Sequence, residues 1–119
     1  MTERSESISE FEILDHQTGL VWRKDYEKGL DWDAAMEYPK SLGPEWRLPT
    51  RHELDSLLSL ERHAPAWDFP DMPSNWFWSS SSLVNNPDYA WGVSFYYGYM
   101  TFVNKTFTFY ARCVRDGGE

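Results

Sequence analysis

The side chains able to do covalent chemistry are few. Ser79-Ser80-Ser81-Ser82 is a run of hydroxyls, and a serine becomes a nucleophile only beside an activating base, often on a strained turn. No such turn surrounds the run, and His16, His52 and His63 show no spacing that pairs one of them with it. The serines read as strand and strand-edge hydroxyls, and the chain as a non-enzyme. Cys113 is the single cysteine. In a strand with Phe109 and Ala111 it reads as a small core residue, and alone it forms no intramolecular disulfide. Asp68 and Asp71, in a proline-rich stretch near Asn75, are candidate calcium ligands, but a hard cation takes about six to eight oxygens from a tight loop. His52 and His63 beside Glu53 and Glu61 have metal-binding residue types without ligand spacing. No metal or cofactor is expected. Arg47, between Trp46 and Leu48, and Arg112 and Arg115 in the last strand are expected to reach internal carboxylates such as Glu53 or Asp55.

Recognition has a stronger signal. Tyr96, Tyr97 and Tyr99 cluster about a turn at Gly98, where at least one ring must face solvent. Exposed tyrosines give large contact area at low entropic cost. From Met72 onward the chain holds thirteen of its 21 aromatic residues and six of its 30 charged ones. Residues 1–71 carry sixteen acids and eight bases, so the whole net charge of -8 lies there. Direct nucleic-acid binding is excluded on this balance, because phosphate contacts need clustered Lys and Arg. The acidic half is either a solubilising surface or a docking surface for a basic partner.

The elements that must position these residues follow from periodicity. At 119 residues with 41% hydrophobic content the chain is one folded domain, expected over 11–116 after a flexible N-terminal arm at 1–10. Phe11–Leu14 and Leu20–Arg23 read as strands joined by a turn, with Asp15 bonding forward and Gly19 at positive φ. Asp25–Gly29 is a polar connection. Leu30–Tyr38 is a short helix capped by Asp31, with Trp32, Ala35 and Met36 on one face and Pro39 ending it. Thr50-Arg51-His52-Glu53 is a capping box opening a second helix, whose buried stripe is Leu54, Leu57 and Leu58. Glu61–Asn75 is a long loop containing Pro65, Pro70, Pro73, Trp67 and Phe69. Strands follow at about 77–81, 89–95, 99–103 and 106–115. In the last, Phe107, Phe109, Ala111 and Cys113 share one face and Tyr110, Arg112 and Val114 the other. The N-terminus has no apolar leader and no run is long enough to span a bilayer, so a cytoplasmic location without membrane contact is expected. The sequon Asn104-Lys105-Thr106 is then a chance match.

Four segments in order carry a family resemblance: Asp15 with Thr18-Gly19-Leu20-Val21-Trp22; Leu30-Asp31-Trp32-Asp33-Ala34-Ala35; Trp46-Arg47-Leu48-Pro49-Thr50 with Glu53-Leu54; and Trp78-Ser79-Ser80 with Ala90-Trp91, Phe95, Gly98 and Arg112-Cys113-Val114-Arg115. Together the chain resembles the Lcl C-terminal domain family of bacterial and phage domains. The resemblance implies an α+β, C-type-lectin-like fold, with two short helices packed on a twisted antiparallel sheet and the first and last strands adjacent. It also implies ligand display: one relative caps a collagen-like adhesin that binds sulfated polysaccharide, and others resemble variable proteins of diversity-generating retroelements. By that likeness the ligand-binding positions here are Tyr96, Tyr97, Tyr99, Thr101, Asn104, Lys105, Thr106 and Thr108. Family members often carry a cysteine after a tyrosine in the first helix that could pair with the final one. Here Pro39 follows Tyr38, leaving Cys113 unpaired, which suits a reducing compartment. The fold also hosts formylglycine-generating enzymes, whose reactive cysteines a single inward-facing Cys113 does not supply.

The expected function is a non-enzymatic binding module for a protein, less favourably a glycan. The alternative is a small acidic inhibitor, of phage or mobile-element type, that blocks a basic nucleic-acid-binding surface on a host protein.

Overall fold

The computed structural model describes residues 5–57 and 75–117. Leu58, His63, Trp67, Asp68, Phe69, Asp71 and the three loop prolines lie outside them, and so do the expectations attached to those residues. The architecture is α+β. Among the described residues, nine strands and two short helices occur in the order β1 (Ser5–Ser7), β2 (Glu12–Asp15), β3 (Val21–Arg23), β4 (Glu27–Leu30), α1 (Trp32–Glu37), α2 (Arg51–Asp55), β5 (Trp76–Ser82), β6 (Tyr89–Ser94), β7 (Tyr99–Asn104), β8 (Phe109–Ala111) and β9 (Val114–Arg115). They form two sheets rather than the expected one: β1-β2-β3-β9 and β4-β8-β5-β6-β7. Pairing is antiparallel except between β5 and β8, which run parallel through Phe77 and Tyr110.

The N-terminal hairpin forms as its turn residues dictate. Asp15 is buried and accepts from the Gln17 backbone at 3.0 Å and the Thr18 hydroxyl at 2.9 Å, while Gly19 sits at φ 77°. Within the segment expected as a flexible arm, Ser5–Ser7 pair with β2. The polar stretch after β3, expected as a connection, contains strand β4, whose pairing with β8 is interrupted by a register shift. Its residues are mostly exposed, so no apolar alternation announced it.

Both helix caps are built as the sequence predicts. The Asp31 carboxylate accepts from the Ala34 N–H at 2.9 Å. Thr50 and Glu53 form the reciprocal capping box, at 3.2 Å and 2.8 Å. Glu53 also accepts from Nη1 and Nη2 of Arg47, at 2.7 Å and 2.8 Å, so one carboxylate joins the helix start to the Trp46–Leu48 segment. Pro39 ends α1 only in part, because the chain continues as a 3₁₀ turn over Tyr38–Ser41 with Pro39 buried.

The last strand, expected over 106–115, is divided. Phe109–Ala111 joins the five-stranded sheet and Val114–Arg115 joins the other, against Val21 and Trp22. The last strand thus lies beside the second strand of the N-terminal hairpin rather than the first. Strict face alternation fails across the break: Ala111, Arg112, Cys113 and Val114 are all buried. Arg112 donates to the Lys24 carbonyl at 2.8 Å, and Arg23 N–H to the Cys113 carbonyl at 2.9 Å. On the far side of β9, Arg47 and Val114 exchange both backbone hydrogen bonds.

One face of the five-stranded sheet places Phe77 and Val93, with neighbouring Phe95, against Leu54 of α2 and Leu57 just after it, and against Ile13, Trp22 and Val114 of the other sheet. The opposite face packs Trp78, Ala90 and Ala111 against Ala35 of α1 and Leu48.

Because Glu53 caps α2 and holds Arg47, Glu53→Ala removes two connections at once. It is expected to lower unfolding free energy by roughly 2 kcal/mol, measured by urea titration. Burial alone would raise the Glu53 pKa, but Arg47 and Thr50 hydrogen bonds outweigh it and hold it below 4.5; Glu12 is lowered chiefly by its hydrogen bond to Arg115. Carboxyls with depressed folded pKa values stabilise the protein above their unfolded pKa and cease to as pH falls through the folded one. Stability is therefore expected to drop below about pH 4.5, and Glu12→Gln with Glu53→Gln to flatten that acid limb.

Candidate functional site

The residues with catalytic types are occupied structurally. The Ser79 hydroxyl is buried and donates to the Trp91 carbonyl at 2.6 Å. Ser81 Oγ accepts from the Arg51 N–H, and Ser82 Oγ donates to the Tyr89 carbonyl. His16 lies within 2.9 Å of Glu6. Cys113 is fully buried, and burial pushes its thiol pKa up to about 12, so it holds its proton and packs as a small apolar group. The arginine expectation holds for Arg47, paired with Glu53, and for Arg115, whose Nε and Nη2 reach Glu12 at 3.0 Å and 2.8 Å. Arg112 donates to the Lys24 carbonyl and lies 5.3 Å from the Tyr26 ring centroid.

The exposed chemistry is aromatic, and strand register explains where it lies. Directly paired residues share a face. Trp76 pairs with Ser94 and Ser94 with Tyr99; Trp78 pairs with Gly92 and Gly92 with Thr101. Trp76, Trp78, Tyr99 and Thr101 therefore stand on one face of the five-stranded sheet. α1 covers this face around Ala90 and Val103, and the rings at the other end continue into solvent. Their centroids form an unbroken series. Tyr96 and Tyr97 are 4.9 Å apart, Tyr97 and Tyr99 6.0 Å, and Tyr99 and Trp76 5.6 Å. Trp76 stacks on Phe109 at 5.4 Å, and Phe107 lies 6.3 Å beyond.

Tyr96, Tyr97, Tyr99 and Phe107 are 50%, 60%, 43% and 55% exposed. With 150–250 Å² available per ring, these four leave on the order of 400 Å² in water. That falls in the range of the largest patches on monomeric proteins, which often mark binding sites. The β6–β7 turn that displays the tyrosines is rigidly built. The buried Ser94 hydroxyl accepts from the Tyr97 N–H at 3.0 Å, its carbonyl accepts from the Gly98 N–H at 2.9 Å, and Gly98 supplies φ 79°.

The eight expected ligand-binding residues divide into two groups. Tyr96, Tyr97, Tyr99 and Thr101 occupy the hairpin end and edge strand. Asn104, Lys105, Thr106 and Thr108 lie at the other end of β7 and on the connection to β8. That connection crosses from the sheet edge past β6 and β5. It is pinned to α1, with Trp32 N–H donating to the Lys105 carbonyl at 3.0 Å and Lys105 Nζ 4.0 Å from the Trp32 ring centroid. Asn104 Oδ1 accepts from the Thr106 N–H and hydroxyl. These three side chains thus shape the connection, and together with Asp33, Pro87 and Asp88 they line a shallow depression.

Trp76, Phe107 and Phe109 bridge the two groups and were not among the expected site residues. Phe107 was expected inside a strand; it follows directly on the Asn104–Thr106 turn and faces solvent. The adjacency of that turn was the available signal.

Gly92 is the floor beneath these rings. A Cβ there would stand 3.2 Å from Phe109 Cε2 and 3.5 Å from Trp76 Cε3. Gly92→Val is therefore expected to displace both rings and to cost roughly 1–3 kcal/mol of stability, read by chemical unfolding with near-ultraviolet circular dichroism. Tyr96→Ala and Tyr97→Ala, on exposed rings, are expected to stay within about 0.5 kcal/mol of the parent.

Comparison with known proteins agrees with the sequence motifs. No curated protein sequence gives a significant match to the chain. Residues 12–115, most of its length, match the Lcl C-terminal domain, and the protein belongs to that family.

Proposed function

We propose that this chain is a non-enzymatic binding module of C-type-lectin-like architecture that recognises a protein ligand through the aromatic face of β5, β7, β8 and their turns. The carrying observation is the continuous ring series from Tyr96 to Phe107, half-exposed on a floor of ordered strands. Membership of a family associated with ligand display supports the same reading. The backbone that carries the tyrosines is fixed at the turn by Ser94, and Gly92 leaves room for Trp76 and Phe109 to pack on the sheet, so little backbone entropy is lost when a ligand covers them.

Magnitudes favour a protein over a single sugar. Covering on the order of 400 Å² of apolar surface yields roughly 10 kcal/mol gross, against association costs of about 4–15 kcal/mol. A ligand must therefore engage the whole series, Thr101 and the Phe107 end included. A cytosolic setting belongs to this proposal and is supported by Cys113 being a single, free cysteine, which suits a reducing compartment.

The second reading, an acidic inhibitor of a basic surface, is supported by the exposed carboxylates of Glu27, Asp31 and Asp33 on β4 and the start of α1. Salt separates the two readings. Affinity capture from lysate with the parent chain and with Tyr96→Ala/Tyr97→Ala/Tyr99→Ala, at low and high ionic strength, is expected to retain a protein on the parent alone and to keep it in salt. Retention by the triple variant, or release by salt with sensitivity to Asp31→Lys/Asp33→Lys, would instead favour the acidic surface.

A further inference from the structure

We infer that β7 pairs edge to edge with β7 of a second copy of this chain, fusing two five-stranded sheets into one of ten. This inference does not rest on the ligand proposal. Strand edges in native proteins are protected by charge, shortness, bulges or cover. The other edges here have such protection. β1 is three residues with Glu6 at its centre, and β4 carries Glu27 and Lys28 and a register shift. β9 is two residues long and is flanked by the Arg47 backbone. Among the described residues, β7 has none of these. Tyr-Met-Thr-Phe-Val-Asn is six residues without charge or proline, in unbroken register with β6, and among the described residues no strand lies on its outer side.

The occupant follows from hydrogen-bond parity and charge. Lys105 N–H donates to the Asp88 carbonyl at 2.9 Å. In an antiparallel ladder bonded pairs alternate, so Ala90–Val103, Gly92–Thr101 and Ser94–Tyr99 are the bonded pairs. Met100 and Phe102 then direct their N–H and C=O groups outward. A two-fold axis at Thr101 sets Met100 of each copy opposite Phe102 of the other, and all four residues exchange bonds. A register centred further along the strand would call on the Asn104 carbonyl, which already accepts from the Phe107 N–H.

The chain carries -8, so most faces of two copies repel, but β7 is uncharged. At the Thr101 register the first charged residue beyond it, Lys105, lies opposite Tyr97 of the second copy, and no like charges meet. The pairing also sets the two aromatic faces side by side on one surface, which makes ligand capture bivalent.

Sedimentation equilibrium of the full chain tests this. The expected result is a species of twice 14.1 kDa, with Phe102→Lys weakening association by about tenfold or more. A monomer at all concentrations, or a dimer that Phe102→Lys leaves intact, overturns the inference. The register has its own readout. Opposed non-bonded residues have Cα atoms about 4.5 Å apart, within disulfide reach. Thr101→Cys is therefore expected to cross-link under mild oxidation at least about tenfold faster than Thr108→Cys, Cys113 being buried; equal rates overturn it.

Discussion

The division of residues 109–115 between two sheets is the constraint on which the fold depends. Phe109–Ala111 lies between β4 and β5, and Val114–Arg115 lies between β3 and the Arg47 backbone. Four consecutive buried residues make the passage, and the guanidinium of one of them, Arg112, donates from Nη2 to the Lys24 carbonyl in the interior. A buried charge without hydrogen bonds would cost several kcal/mol, so this passage is specified as well as packed. The Arg47–Glu53 and Arg115–Glu12 pairs stand at its borders and tie α2 and β2 to the same segment.

This passage sets what is left uncovered. To reach β8 the chain must leave β7 at the sheet edge and return past β6 and β5, and it does so on the face that α1 covers only in part. Phe109 lands over Gly92, where the missing side chain leaves room. Phe107 is left outside, and Trp76 is sandwiched between Phe109 and Tyr99. Exposure of rings is therefore a consequence of topology, while the backbone that carries them is fixed by Ser94, Gly98 and the Trp32–Lys105 clasp.

The opposite face differs in kind. It is filled by α2 and the smaller sheet around Phe77, Val93 and Phe95, and towards the edge strand it has Arg51 seated over Trp91 at 4.4 Å and Phe102 beside Trp91 at 5.7 Å. One face of the sheet thus acts as the main core, and the other joins a smaller core to an open aromatic surface.

Local chemistry was legible in the sequence. The Asp15–Gly19 turn, the Asp31 cap, the Thr50–Glu53 box, the strands from Trp76 to Asn104 and the family motifs depend on neighbours a few residues apart, so residue types and spacing determined them. The turn around Gly98 required that at least one of its tyrosine rings face solvent; that Tyr96 and Tyr97 both do is read from the tertiary structure. Tertiary structure alone decided the rest. β4 exists because β8 offers it a partner, not because its own residues alternate; the last strand breaks because two sheets compete for its backbone. Phe107 and Trp76 join the tyrosines only because the chain recrosses the sheet above Gly92. Such contacts join residues far apart in the chain, and periodicity carries no information about which distant backbone will supply the missing hydrogen bonds.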